Sequence, residues 1–234
     1  MKRFISLMPA LAMISGVRML SGCGKDKVTG VSMAEQVYSG SNIYEIPQFD
    51  GESKEAVMLN VNIYERMAPY ITGWETIKND ETYWYEIKSY PICDKRYRQV
   101  VVTALELPNY GTDGDVFSFC YDSRKNTVLT LDDALAQANV SRETAEHRIG
   151  QLMTGYLYEG DLVVDISFPA FIFAGGELCL IARAFVENDL ASEHDELYVY
   201  NTARDTLSDY TGGCLIPAGL CDQLQPPLNY ARGE

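Results

Sequence analysis

Histidine, paired cysteines and nucleotide-binding motifs are scarce or absent in this chain, and each absence excludes a class of protein. The 234 residues include two histidines, His147 on a predicted helix and His194 in an acidic stretch, and we expect both to be solvated. There is no Cys-x-x-Cys or His-Glu-x-x-His motif, no Gly-x-x-x-x-Gly-Lys phosphate loop and no Gly-x-Ser-x-Gly nucleophile elbow. The sequence therefore predicts no enzyme, no metal site and no cofactor.

Long apolar runs are also lacking, and the one near the N-terminus has the pattern of a bacterial lipoprotein signal. Lys2 and Arg3 precede an uncharged run over residues 4–17, and Leu-Ser-Gly stands directly before Cys23. The run is shorter than the roughly 20 residues that a membrane span needs. Positive charge, a short apolar segment and small residues before the cut define a secretory signal. We predict that residues 1–22 are removed and that Cys23 is lipidated.

A lipidated Cys23 implies an extracytoplasmic protein that is anchored to the cell membrane by its N-terminal lipid. We expect palmitate among the acyl chains of this lipid. The alternative is an ordinary signal peptide followed by a chance cysteine. Which membrane holds the lipid is left open by the sequence, as is the oligomeric state.

Positive charge is scarce as well. The chain has 19 lysines and arginines against 33 aspartates and glutamates, a formal net charge of −14. Three of the positive residues lie in the signal, so the mature chain carries −17. Such a surface repels nucleic acid and anionic headgroups, and it attracts cationic partners over a screening length of about 8–10 Å. Acidity that serves solubility alone is the alternative interpretation.

Five cysteines follow the predicted lipidation site, and their pairing is left open. An odd number cannot pair completely within one chain, although an oxidising compartment permits disulfides. Their spacing does not resemble that of a zinc site. These cysteines are Cys93, Cys120, Cys179, Cys214 and Cys221.

The mature chain divides into a tether, a domain and a tail. Residues 23–42 are polar and contain glycine and serine, as is typical of a flexible, lipidated linker. Residues 43–204 carry the regular hydrophobic patterns of a folded domain. Residues 205–234 are rich in glycine and proline, and we expect an irregular C-terminal tail there.

Helices are predicted where apolar residues recur every three or four positions behind a capping residue. Pro69 is expected to end the first of them. The predicted helices cover 53–68, 131–138 and 142–157, with Ser53, Thr130 and Ser141 as caps. Alternating segments separated by turn residues predict strands over 83–90, 97–107, 115–122, 162–173, 177–187 and 197–200. This order predicts an α+β fold with an antiparallel sheet, or sheets, of meander hairpins packed by two or three helices.

Aromatic and acidic residues supply the candidate binding residues. Aromatic side chains stack on sugars and anchor protein interfaces, and acidic loops attract cations. Filling of the core by alternate aromatic residues is the competing interpretation, and the acidic segments lack the Asp-x-Asp-x-Asp-Gly spacing of a calcium loop. The candidates are Tyr83, Trp84, Tyr85 and Tyr110 among the aromatics, and Glu193, Asp195 and Glu196 among the acids.

The order of motifs resembles a known family. The segment Ile46-Pro47-Gln48 before a helix, the strand Val100-Val101-Val102, the stretch from Phe117 to Leu135 and the hairpin from Phe168 to Leu180 carry the resemblance. They are similar to the extracellular region of lysozyme-sensing anti-sigma factors of the RsiV kind. They are also similar to the domain of unknown function that accompanies a peptidoglycan deacetylase. The resemblance spans roughly residues 43–204 and implies an extracellular sensing or binding domain.

Signal, charge and resemblance together suggest a surface-anchored binding module. Its ligand would be a component of the cell envelope, such as a wall glycan, or a cationic protein such as lysozyme. Two alternatives stay open, a structural lipoprotein of an envelope complex and a hydrolase that acts on the wall. The membrane, through the lipid on Cys23, is the remaining expected partner.

Overall fold

The computed structural model describes residues 27–39, 42–78, 84–107, 114–157, 160–188 and 191–209. Within them the chain is mostly strand, with three helices. The strands are β1 Gly30–Ser39, β2 Asn42–Asp50, β3 Trp84–Cys93, β4 Tyr97–Leu107, β5 Gly114–Asp122, β6 Thr127–Leu129, β7 Asp161–Ala174, β8 Glu177–Asn188, β9 Ala191–Asn201 and β10 Thr206–Asp209. The helices are α1 Lys54–Ile77, α2 Leu131–Ala138 and α3 Arg142–Met153.

The strands form two sheets in which almost all neighbours are antiparallel. The first sheet has the order β1-β2-β3-β4-β5-β6, and the second has the order β10-β9-β8-β7. β2 and β3 are parallel because the chain crosses over through α1 between them. The predicted antiparallel sheets and packed helices are confirmed at this level, although strands dominate the fold.

The helices and sheets form four layers, in the order α1, first sheet, second sheet and the α2–α3 pair, with buried side chains between them. The two faces of each sheet are apolar because alternate residues of a strand point to opposite sides. α1 contributes Ala56, Leu59, Ile63 and Met67 to its interface with the first sheet. The space between the sheets holds Val101, Val116, Ala170, Ile172, Ile181 and Val199. The helix pair places Ala134, Leu135, Ala145 and Ile149 against Leu180, Ala182 and Ala184.

A buried glutamine joins the two sheets. The Gln99 side-chain amide donates to the Phe173 carbonyl (2.9 Å), and the Phe173 N–H donates to Gln99 Oε1 (2.7 Å). Nearby, the Phe171 N–H donates to Ser118 Oγ (2.8 Å). Side chains of the first sheet therefore satisfy backbone groups along β7, which is an edge strand of the second sheet.

The predicted first helix begins where expected and ends later. Ser53 Oγ accepts the Ala56 N–H (3.1 Å), so the predicted cap is confirmed. The prediction that Pro69 ends the helix is wrong, because α1 runs through Pro69 to Ile77. The extra turns are held by the aromatic packing of Trp74 on Tyr44, with ring centroids 5.2 Å apart.

The other predicted caps are also confirmed. Thr130 and Asp133 form a capping box at the start of α2, and Ser141 Oγ accepts the Thr144 N–H at the start of α3. α3 ends at Met153 rather than at residue 157. Tyr156, beyond the end of α3, is exposed and donates from its hydroxyl to the Leu207 carbonyl (2.9 Å).

The predicted tether contains a strand. Residues 30–39 form β1 and pair along their length with β2, and Val28 before them is buried. The tether prediction is therefore wrong for residues 30–39; their polar composition reflects an edge position rather than a linker. At the other end, Thr206–Asp209 forms β10 within the predicted tail. Residues 210–234 lie outside the described part of the chain.

The strands predicted over 97–107 and 115–122, and those predicted over 162–173 and 177–187, pair as two hairpins. β4 and β5 pair with Val101 opposite Ser118, and β7 and β8 pair across Gly175 and Gly176. These two glycines have φ of 59° and 87°, and a type I′ hairpin turn requires such positive φ values at both central residues. None of the helices in the described ranges is long and apolar enough to cross a membrane.

Candidate functional site

The strand register and nearby hydrogen bonds show which residues lie at each end of the first sheet. At one end, which we call the anchor end, Thr29 N–H donates to the Asp50 carbonyl (2.9 Å) and Arg98 Nε donates to the Thr29 carbonyl (3.1 Å). Arg98 pairs with Tyr121 near the end of β5, so the beginning of β5 lies at the opposite end. At about 3.3 Å per residue, the 11 residues of β4 separate the two ends by about 35 Å.

The opposite end, which we call the acidic end, gathers carboxylates from four strands. β5 contributes one, β7 two, β8 one and β9 two. The members are Asp115, Asp161, Asp165, Glu187, Asp195 and Glu196. Asp165, Glu187 and Asp195 are exposed.

At the acidic end, an arginine forms ion pairs with aspartates of both sheets. Arg183 of β8 lies 3.5 Å from Asp115 of β5 and 3.5 Å from Asp195 of β9. Its side chain is 25% exposed, and those of the two aspartates are 48% and 41% exposed. Tyr70 of α1 donates its hydroxyl to Asp115. The arrangement holds Asp115 and Asp195 in position, and solvent still reaches both carboxylates.

The predicted acidic loop is a strand. Glu193, Asp195 and Glu196 lie on β9, where the backbone of Asp195 pairs with Phe185 and that of Glu196 with Ala184. The loop assignment is therefore wrong, because pairing with β8 extends farther toward the N-terminus of β9 than its apolar residues do. The Tyr198 hydroxyl also donates to Glu196. These acids therefore belong to a paired strand rather than to a loop.

Only part of the predicted aromatic surface lies within the described residues. Tyr83, Tyr110 and the lipidation site Cys23 lie outside the described residues. Trp84 begins β3 opposite Leu107, at the acidic end. Tyr85 is 1% exposed, packs against Trp74 and donates its hydroxyl to the Tyr70 carbonyl. The expectation that Tyr85 contacts a ligand is wrong, since its side chain is part of the core.

A groove that the sequence did not suggest lies between α1, β5 and β7. It is shallow and open to solvent, with a volume of about 450 Å³. Arg66 places its guanidinium 4.6 Å from the centre of the Phe117 ring. Pro169, which lies in the register shift of β7 between Ser167 and Ala170, also lines the groove. The lining residues are Asn62, Glu65, Arg66, Phe117, Ser118, Phe119 and Pro169.

The described cysteines do not form a reactive site. Cys93, Cys120 and Cys179 are free, and the last two are buried. Burial raises the pKa of the Cys179 thiol to about 11 and also raises the pKa of the Cys120 thiol. A nucleophilic cysteine needs a lowered pKa, so neither buried thiol suits that role. Within the described ranges no group of three histidine, cysteine, aspartate or glutamate side chains is placed to hold a metal ion.

Comparison with known proteins does not identify the chain. No protein-family model matches it, and no curated protein matches it. The resemblance to the extracellular region of lysozyme-sensing anti-sigma factors therefore stays a prediction from the sequence.

Proposed function

We propose that this protein is a surface-anchored lipoprotein that binds a cationic ligand of the cell envelope, such as a basic protein, at its acidic end, without turning over a substrate. The observation that carries the proposal is the collection of six carboxylates from β5, β7, β8 and β9 at the acidic end. The lipoprotein signal before Cys23 supports the location.

The geometry favours binding through electrostatic attraction. Asp165 and Glu187 are exposed on neighbouring strands, and Arg183 holds Asp115 and Asp195 between the sheets. Fixed carboxylates on rigid strands speed the association of a cationic partner. The likeness to a lysozyme-sensing region suggests lysozyme as the first basic protein to test.

The test measures association of lysozyme with the mature lipidated protein in detergent micelles. We expect measurable binding near 50 mM salt and clearly weaker binding near 500 mM, because salt screens surface charge. Replacing Asp165 with Asn and Glu187 with Gln together should slow association several-fold at low salt and change dissociation less. Both residues are exposed, so these changes leave the core intact.

A matched control removes the same charge elsewhere. Glu52→Gln with Asp132→Asn also lowers the negative charge by two, at exposed positions that do not belong to the six carboxylates of the acidic end. We expect this pair to leave the association rate nearly unchanged. Equal slowing by both pairs would show that overall charge, rather than the acidic end, attracts the ligand. Release of wall fragments by the purified protein would instead favour a hydrolase.

The groove beside α1 supports a second ligand class, a wall glycan. Phe119 lines it and is partly exposed, and Asn62, Glu65 and Arg66 supply polar groups along it. Aromatic faces with flanking hydrogen-bonding groups suit sugar rings. Salt-independent binding of a neutral peptidoglycan fragment, abolished by Phe119→Ala and retained by the acidic-end variant, would move the function to this groove.

A further inference from the structure

The outward face of α1 carries a row of exposed apolar side chains. Val57, Met58, Val61 and Tyr64 are 47%, 41%, 40% and 42% exposed. The first, third and fourth follow the i, i+4, i+7 spacing of one helix face, separate from the buried row that packs on the first sheet. Contiguous exposed apolar surface marks a contact site. We call these four residues the α1 outer face.

The chain that leads to the predicted lipid enters the domain beside this face. Lys27 is four residues after Cys23, so the two are separated by at most about 14 Å. Val28 is buried, which fixes the entry point. A Cβ added at Gly51 would lie 2.7 Å from the Lys27 carbonyl oxygen, so Lys27 passes directly beside the turn that leads into α1. The lipid and the first turns of α1 must therefore lie close together.

The charge of this face suits a bilayer better than the rest of the surface does. From Lys54 to Ala68 the exposed and partly exposed charges of α1 balance, with two cations, Lys54 and Arg66, and two acids, Glu55 and Glu65. Glu35 of β1 borders it near Tyr64. The mature chain as a whole carries −17 and is repelled by anionic headgroups. A nearly neutral, apolar face next to the lipid is thus the side that can approach the membrane.

From this placement we infer that the α1 outer face rests in the interface of the bilayer that holds the lipid of Cys23. The inference rests on the proposed lipidation. Its consequence is a fixed orientation: α1 and the first sheet lie nearest the membrane, and the second sheet, which carries five of the six carboxylates of the acidic end, lies about 10 Å farther away than the first sheet. The lipid alone retains the protein, so the apolar face sets orientation rather than attachment.

Orientation is tested by quenching of a new tryptophan. Val61→Trp is placed on the α1 outer face, and Leu162→Trp is its matched control at an apolar site on β7 that is 64% exposed and lies at the acidic end. Each lipidated full-length variant is reconstituted in phosphatidylcholine vesicles with and without brominated acyl chains. The parent protein provides the background of Trp74 and Trp84. We expect the added fluorescence of Val61→Trp to be mostly lost in brominated vesicles, and that of Leu162→Trp to be retained.

The possible outcomes separate this inference from the proposed function. Mass spectrometry first establishes whether Cys23 carries lipid; an unlipidated chain overturns both. A lipidated protein with no quenching at position 61, or with equal quenching at 61 and 162, overturns the orientation alone. If Val61→Trp does not fold, Tyr64→Trp on the same face replaces it with a smaller change in shape, and the same two results decide.

Discussion

Replacing Asp122 with Asn should destabilise the protein by about 3 kcal/mol, because it leaves a largely buried arginine without its counter-charge. Asp122 is fully buried at the end of β5 and accepts two bonds from Arg96, from Nε at 2.9 Å and from Nη2 at 2.6 Å. Its other oxygen accepts the N–H groups of Arg124 and Lys125. Asn preserves the shape and one acceptor oxygen, but its NH2 group then faces other donors, so the loss combines the missing charge with a missing acceptor. Urea unfolding at pH 7 measures it.

The pH dependence of this loss has a definite sign. Burial raises the pKa of Asp122, but the bond from Arg96 and the two backbone N–H groups outweigh burial and lower the pKa overall. A group with a lowered pKa in the folded state stabilises the protein above its ordinary pKa and less as the pH falls below it. The advantage over Asp122→Asn should therefore be complete at pH 7 and shrink below about pH 4.

An exposed Arg–Asp pair provides the matched comparison. Arg148 also binds an aspartate through two nitrogens, but the side chains of Arg148 and Asp205 are 38% and 44% exposed. Exposed pairs contribute little because water and salt screen them. Asp205→Asn should cost much less than Asp122→Asn. Equal losses would show that burial of the Arg96 pair does not matter to stability.

Truncating either main helix stripe should cost a comparable amount. Leu59 of α1 and Ile149 of α3 are buried against different sheets, and we expect Leu59→Ala and Ile149→Ala each to destabilise by about 2–5 kcal/mol in denaturant unfolding. Met58→Ala, one residue from Leu59 but exposed, is the control. Losses below about 0.5 kcal/mol for both buried sites would show that these stripes do not pack as described.

Local patterns predicted the elements whose signals lie within a few residues of one another. The predicted strand over 97–107 matches β4, because Val100, Val101 and Val102 are flanked by clear turn residues. Ser53, Thr130 and Ser141 cap helices as expected because a cap needs only the next three residues.

The missed elements depend on distant partners. β1 is polar and Gly/Ser-flanked, and it is a strand because β2 pairs with it. The acids at the start of β9 have no apolar alternation, and their strand is held by β8. Pro69 is tolerated inside α1 because Trp74 beyond it packs on Tyr44.

The candidate site was predictable only in part. The acids Asp195 and Glu196 belong to the acidic end, but the contact of Arg183 with Asp115 joins residues 68 positions apart and leaves no local signal. Tyr85 was selected for its aromatic neighbours, and its burial against Trp74 follows from α1 extending past Pro69. The groove beside Phe117 forms where three separate elements meet, which no single segment encodes.

The central claim, attachment through Cys23, is tested most directly by mass spectrometry of the mature N-terminus after extraction from membranes. We expect a chain that begins at Cys23 and carries a thioether-linked diacylglycerol, and we expect Cys23→Ala to leave the protein unprocessed or misplaced. An unmodified mature chain that begins at any other residue would contradict the account.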